Sequence, residues 1–208
     1  MFKKKNWPAP SKPVVSLLAV SKSNLSNPSR GPALSLSKGF TLVELLVVMA
    51  IIAIITAIAV PYYLSVRKDS RDSRRISDLQ SVALSLEQYY VQNKLYPATM
   101  TSINTPVAGC DIPYGWCHSN TMPTTWVPSL VPNYINVLPK DPVNSNTYHY
   151  VYNTLNANSV NYKLIALGME GDKGKQAAID DGGCRTDQYE LFSAGAKTWR
   201  YGGSACDQ

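Results

Sequence analysis

The chain has 208 residues, a formal net charge of +6 and a mean hydropathy of −0.14, which fits one domain with a modest core. The positive charge suggests an anionic partner, but seven basic residues (Lys3, Lys4, Lys5, Lys12, Lys22, Arg30 and Lys38) and no acid lie within residues 1–39. Without them 13 basic residues face 14 acidic ones, a net charge of −1, so composition argues against a basic nucleic-acid-binding body and assigns the charge to an N-terminal tail.

Residues 6–38 are rich in Ser, Pro, Lys and Asn. Such a tract buries too little to fold and is expected to be disordered. Residues 40–60 are apolar except for Thr41, Glu44 and Thr56. As a helix, about 20 residues at roughly 1.5 Å each span a bilayer core of about 30 Å. The basic tail beside this run predicts that the N-terminus stays cytoplasmic and the C-terminal domain lies across the membrane. Pro61 ends the run and removes a hydrogen bond to the Ala57 carbonyl, so a helix break is expected there.

Helix is predicted to resume over residues 64–95. Ile76, Leu79, Val82, Ala83, Leu86 and Tyr90 form one apolar stripe, with Ser77, Asp78, Gln80, Ser81, Glu87 and Gln88 on much of the other face. RKDSRDSRR, Arg67 to Arg75, reads as a solvated helix face laced with ion pairs, or as a surface for pairing between subunits. The helix is expected to stop near Asn93–Leu95, before Tyr96-Pro97.

From residue 96 to 208 the chain reads as a loop-rich head. Residues 97–146 carry most of the prolines, and three strands follow in TYHYVYN (147–153), NYKLIALGM (161–169) and YELFSA (189–194). The first alternates as a half-buried strand. One long helix, membrane-spanning in its first half and amphipathic in its second, packed on a small antiparallel sheet, is an α+β plan.

No catalytic constellation is present in the sequence, and an enzyme is not expected. GMEGDKGKQ, Gly168 to Gln176, has the glycines of a phosphate-binding loop in the wrong spacing, and Gln176 stands where Ser or Thr should ligate magnesium. Four cysteines, Cys110, Cys117, Cys184 and Cys206, all follow the apolar run. In an exported domain they favour disulfides, and of three pairings proximity selects Cys110–Cys117 and Cys184–Cys206. Cys110, Cys117 and His118 could supply three zinc ligands but lack an evident fourth. Asp172, Asp180 and Asp181 read as a solvated acidic loop, with weak calcium binding as the alternative; otherwise no cofactor is expected.

Glu44 is the anomaly, a lone acid in an apolar run. GFTLVELLVVMAIIAIITAIAVP, preceded by Lys38, resembles the N-terminal signature of type IV prepilins and type II secretion pseudopilins. The resemblance implies that residues 1–39 are a basic leader, long for that family. A membrane-embedded prepilin peptidase would remove it after Gly39 and N-methylate Phe40. Glu44 then matches the family's acid at the fifth mature position, and Pro61 its helix-breaking proline. Residues 40–63 become the transmembrane and polymerisation helix. In a staggered filament the acid of one subunit meets the terminal ammonium of its neighbour, which makes Glu44 a register key.

LYPAT, LVPNYINVLPKDPVNSNTYHYVYN and YELFSAGAK are similar to the head of the major pseudopilins. The implied protein is a structural subunit of a pilus or pseudopilus, single-pass in the inner membrane with its head periplasmic or extracellular. Its implied partners are its own copies, the peptidase, membrane lipid, and an inner-membrane assembly platform with its ATPase. Nucleic acid is not an expected partner. Lys197 stands where major pseudopilins commonly have Asp, which bears on their calcium site. The Cys184–Cys206 pair instead resembles the C-terminal loop of type IV pilins. Two alternatives remain: a competence-type pilin taking part in DNA uptake through Arg67–Arg75, and an exported protein with an ordinary signal peptide cut after Ala57-Ile58-Ala59.

Overall fold

A computed structural model describes residues 39–102, 104–156 and 160–201. The tail expected to be disordered and Cys206 lie outside the described residues. The chain divides into two units, Met1–Leu45 and Leu46–Gln208. Helix α1 spans Leu42–Asn93. Its N-terminal stretch is apolar and exposed, with a window of mean hydropathy 2.9, long enough to cross a bilayer. Helix does not end at Pro61, since α1 continues through it. A proline forfeits one backbone hydrogen bond, and here the turns on both sides are made of residues that sustain helix.

The lower part of α1 carries the head. Leu79, Val82 and Leu86, at helical spacing, are fully buried. They pack against Trp126, Leu130 and Leu138 from the long loop, and against Tyr150, Tyr152 and Leu164 from the sheet. The sheet is antiparallel in the order β3 (Cys117–His118), β4 (Tyr150–Asn153), β5 (Lys163–Ala166), β6 (Tyr189–Phe192). A small hairpin, β1 (Met100–Ser102) with β2 (Thr105–Pro106), precedes it. Tyr152 opposes Leu164, and Tyr150 opposes Ala166, so these four face α1 together. Each buried phenol has an acceptor: Tyr150 donates to Asp78 Oδ2 at 2.8 Å and Tyr152 to the Pro97 carbonyl at 2.9 Å.

Alternation predicts a half-buried sheet, but all four residues of β4 and of β5 are buried. The second face is covered as well. Trp116, Val151 and Ile165 form a separate apolar cluster there, and the Tyr201 ring meets Trp116 edge-on at 5.3 Å. A C-terminal segment that returns over the sheet is not visible in strand periodicity. The acidic loop is likewise a helix over most of its length, α2 (Asp172–Asp180).

The charge run on α1 is not wholly solvated. Arg75 is fully buried. It reaches Asp72 at 2.6 Å, Asp141 at 2.6 Å and Glu170 at 2.8 Å, with its guanidinium 5.0 Å from the Tyr148 ring centroid. Arg71 also pairs with Glu170. Its hydrogen bond is the first cause holding the Glu170 carboxyl below the usual carboxylate range. Asp72 accepts from the Glu170 and Gly171 amides at 2.9 and 2.7 Å. Asp141 Oδ1 accepts from Val143 N at 2.8 Å and Asn144 N at 3.1 Å. One guanidinium therefore ties α1 to the LPKDP turn and to the segment entering α2.

A second polar chain crosses the back of the sheet. Asp111 Oδ2 meets His118 Nε2 at 2.7 Å, His118 Nδ1 meets His149 Nε2 at 2.9 Å, and His149 Nδ1 meets the Ser145 carbonyl at 3.0 Å. Acceptors close both ends, so three hydrogen bonds need three protons on two rings. One ring therefore donates and the other accepts across the His118–His149 contact. Burial first, and then His118, hold the His149 pKa below the ordinary 6.5, with Asp141 and Asp111 acting in the opposite sense.

Two predictions follow from these contacts. Arg75→Met leaves buried carboxylates uncompensated and should cost about 3–5 kcal/mol in urea unfolding of the detergent-solubilised chain, followed by tryptophan fluorescence. Arg75→Lys, which keeps charge without the fork, should fall between Arg75→Met and wild type. An unchanged midpoint in Arg75→Met rejects the network as a stabilising element.

The His149 contribution is complete above the unfolded value of 6.5 and is lost as pH falls below it, because the unfolded chain accepts the proton first. The wild-type midpoint should therefore drop more than that of His149→Gln between about pH 7 and about pH 5. Equal slopes would exclude the imidazole as the source.

Candidate functional site: the N-terminal assembly segment

Gly39 stands outside α1, and a Cβ built on it would meet nothing within 4 Å. The described fold therefore does not require glycine at this position. Phe40 follows with 87% of its surface exposed. Neither residue is used by packing, which is the condition for a segment read by another molecule.

Thr41 and Glu44 start the helix as a reciprocal pair. Glu44 Oε2 accepts from Thr41 N at 2.8 Å and from Thr41 Oγ1 at 2.7 Å, and Glu44 N donates to Thr41 Oγ1 at 3.2 Å. This is a capping box, which satisfies donors that a helix start leaves open. The T-x-x-E spacing carries that signal in the sequence, beside the membrane anomaly. Both Thr41 bonds go to Oε2, and Oε1 has no partner among the described residues. The acid thus holds its own helix start through Oε2. Beyond it the side chains from Leu45 to Val66 present a continuous apolar surface, with Leu46, Met49, Ile54, Ile58 and Tyr62 all more than half exposed.

The remaining sequence candidates separate. Cys110 and Cys117 are joined in a disulfide, so they are not zinc ligands. Cys184 is buried, and the Cys206 end of its expected pairing lies outside the described residues. Asp172 and Asp180 sit at opposite ends of α2, about 12 Å apart along a helix axis. Asp180 accepts from Gln176 Nε2 at 2.9 Å. Asp181 accepts from the Gly183 and Glu190 amides at 2.6 and 2.7 Å. The three acids do not converge on one point, and among the described residues no group of three His, Cys, Asp or Glu side chains is placed to hold a metal ion.

The glycines of GMEGDKGKQ have a packing explanation. A Cβ on Gly171 would lie 2.0 Å from Asp69 Oδ1, and one on Gly174 would lie 2.2 Å from Asp72 Oδ2. They let α2 approach α1. A cleft of about 280 Å³ lined by Thr147, Leu167, Gly168, Gln188 and Tyr201 carries the Arg185–Asp187 pair in its wall, with no nucleophile–base pair among its lining residues.

Comparison with known proteins points to the same segment. The family model described as the prokaryotic N-terminal methylation motif matches residues 34–60. Type II secretion system core protein G of Pseudomonas aeruginosa is 30% identical over 141 residues, 68% of this chain and 92% of that protein. The protein of the same name from Vibrio cholerae is 29% identical, over 68% of this chain and 88% of its own length. The type IV wide pilus major component PilA4 of Thermus thermophilus is 37% identical over 67 residues, 32% of this chain and 51% of its own. No solved structure matches significantly. A motif confined to one helix start, joined to a likeness that runs on through the head, places this chain in the prepilin family, the type IV pilins and type II secretion pseudopilins.

Proposed function

We propose that this chain is a structural subunit of a type II secretion pseudopilus or a related type IV filament, and not an enzyme. It is held in the inner membrane by residues 40–63, with its head on the periplasmic side. A prepilin peptidase cuts after Gly39 and methylates the Phe40 amine. Copies then polymerise through α1 on an inner-membrane platform driven by an assembly ATPase. The observation that carries this reading is the Thr41–Glu44 pair at the head of an exposed apolar helix, with one carboxylate oxygen uncommitted. Cleavage creates an ammonium four residues before that oxygen in sequence. A neighbour's ammonium seated on Oε1 neutralises both charges in a low-dielectric bundle.

The pseudopilus is favoured over the pilus because the likeness to core protein G covers 92% of the Pseudomonas protein, while that to PilA4 covers 51% of the Thermus protein. The DNA-uptake reading loses part of its basic patch, because Arg71 and Arg75 are committed to Glu170, Asp72 and Asp141, which leaves Arg67, Lys68 and Arg74 exposed.

Intact-mass analysis of the membrane-extracted protein should find a chain starting at Phe40 and heavier by one methyl group. A start at Val60 establishes the ordinary signal peptide instead. A bulky replacement of Gly39 should block cleavage.

Glu44→Gln keeps the Thr41 contacts but removes the charge. It should insert and be cleaved like wild type yet give a much lower yield of sheared filaments relative to total membrane-bound protein. Glu44→Ala should do the same, and Glu44→Asp, one methylene shorter, should be intermediate. Wild-type filament yield from both Glu44→Gln and Glu44→Ala would refute the register role.

A further inference from the structure

Lys163 lies in β5 with no exposed surface. It opposes Phe192 in the register of β5 with β6, diagonal to Glu190 on the face away from α1. Its Nζ pairs with Glu190 Oε2 at 2.5 Å and donates to the main-chain carbonyls of Trp199 at 2.8 Å and Lys197 at 3.2 Å. Three acceptors match the three protons of an ammonium. The Phe192 ring centroid is 5.4 Å away.

Glu190 is buried too, and its remaining valence is filled. Oε2 also accepts from Cys184 N at 2.7 Å, and Oε1 accepts from Gln188 Nε2 at 2.7 Å. Asp181 is the other acid beside this group. Burial pushes its carboxyl up to about 6, against the two backbone amides that favour its ionised form; Glu190 adds to the rise and Lys163 opposes it.

A carboxylate and two main-chain carbonyls around a single positive centre form the kind of oxygen set that a hard cation takes. The resemblance to the major pseudopilins implies a calcium site, but the geometry does not fit one here. The oxygens that could serve it already surround an ammonium, and a metal at about 2.4 Å from the same carbonyls would displace Nζ. A divalent ion also needs more negative charge than one glutamate supplies, and both Asp181 oxygens are turned to N–H donors.

We propose that the Lys163 ammonium is the resident cation of the head. It holds the segment from the 3-10 turn Ala194–Ala196 to Tyr201 against the sheet, the task a bound divalent ion would otherwise perform. Order in this segment is therefore independent of divalent metal. It cannot be released by chelation or tuned by calcium outside the cell. The proposal concerns the head alone and does not depend on processing at Gly39.

The test uses the full chain in detergent, with thermal unfolding read by tryptophan fluorescence. The wild-type midpoint should be the same in millimolar calcium chloride and in EDTA. Lys163→Met, close in shape and uncharged, should lower the midpoint by roughly 10 °C, because it leaves Glu190 buried and unpaired. It should also open the chain to protease after Phe192. Lys163→Met combined with Glu190→Gln should recover much of the midpoint, which a simple packing role for Lys163 would not produce. A wild-type midpoint that rises with calcium, stoichiometric calcium binding by titration calorimetry, or no rescue in the double variant would each overturn the proposal. The calcium and EDTA comparison on wild type decides the matter even if Lys163→Met alone does not fold.

Discussion

The guanidinium of Arg75 organises the head. A buried cation is tolerated only where its donors meet acceptors, and those acceptors come from three places in the chain: Asp72 on the same helix, Asp141 in the LPKDP turn and Glu170 ahead of α2. Asp72 and Asp141 each accept two backbone amides as well. The LPKDP turn and the entry to α2 lack regular hydrogen-bond ladders of their own. The three contacts fix where both segments meet α1, and the glycines at 171 and 174 let them come close enough.

This arrangement lets one uninterrupted helix serve two environments. Above Arg75 the side chains of α1 are mostly apolar and exposed as far down as Val66, as lipid or packed helices require. Below it, three residues at helical spacing, Leu79, Val82 and Leu86, are sealed into an aqueous-type core. The charged run between them is where the change of solvent is managed. Its buried members face the head, and Arg67, Lys68 and Arg74 stay outside.

The parts of the fold set by local pattern were legible in the sequence. The helix end near Asn93 and the three longer strands follow from periodicity and turn residues, and they fall within the segments those signals mark. The motif from Lys38 to Pro61 was legible for a different reason, since it is a linear string that needs no distant contact to be recognised. What escaped depends on contacts between distant residues. Arg75 reads as solvated because Asp141 is 66 residues away, and no window around Arg75 contains it. Arg71 and Glu170 are 99 residues apart. Lys163 carries no signal of burial in the sequence, because the carbonyls that cover it belong to residues 197 and 199. Helix α2 was hidden by Gly171 and Gly174, whose presence suggests a loop but whose reason is close approach to Asp69 and Asp72. Pro61 does not end the helix, because a missing hydrogen bond is a local cost that a 52-residue helix absorbs.

Charge inside the head is settled within the head. Arg71, Arg75 and Lys163 are matched by Asp72, Asp141, Glu170 and Glu190, and the chain beyond the leader carries a net charge of only −1. Such a head has little long-range field with which to recruit a partner, since field strength follows unbalanced charge. Recognition between subunits must then come from somewhere else. The segment with unmet capacity is the start of α1, where an apolar surface avoids water and one oxygen of Glu44 has no partner among the described residues. Apolar packing alone is indifferent to sliding along a helix, because a shift of one turn exchanges one aliphatic contact for another. Under the proposed register role, a single charge in that surface removes the indifference, since only one stagger brings it to an ammonium. Under the same proposal the lone acid and the neutralised head divide the work, with the head fixed by its own ion pairs and the assembly register falling to Glu44.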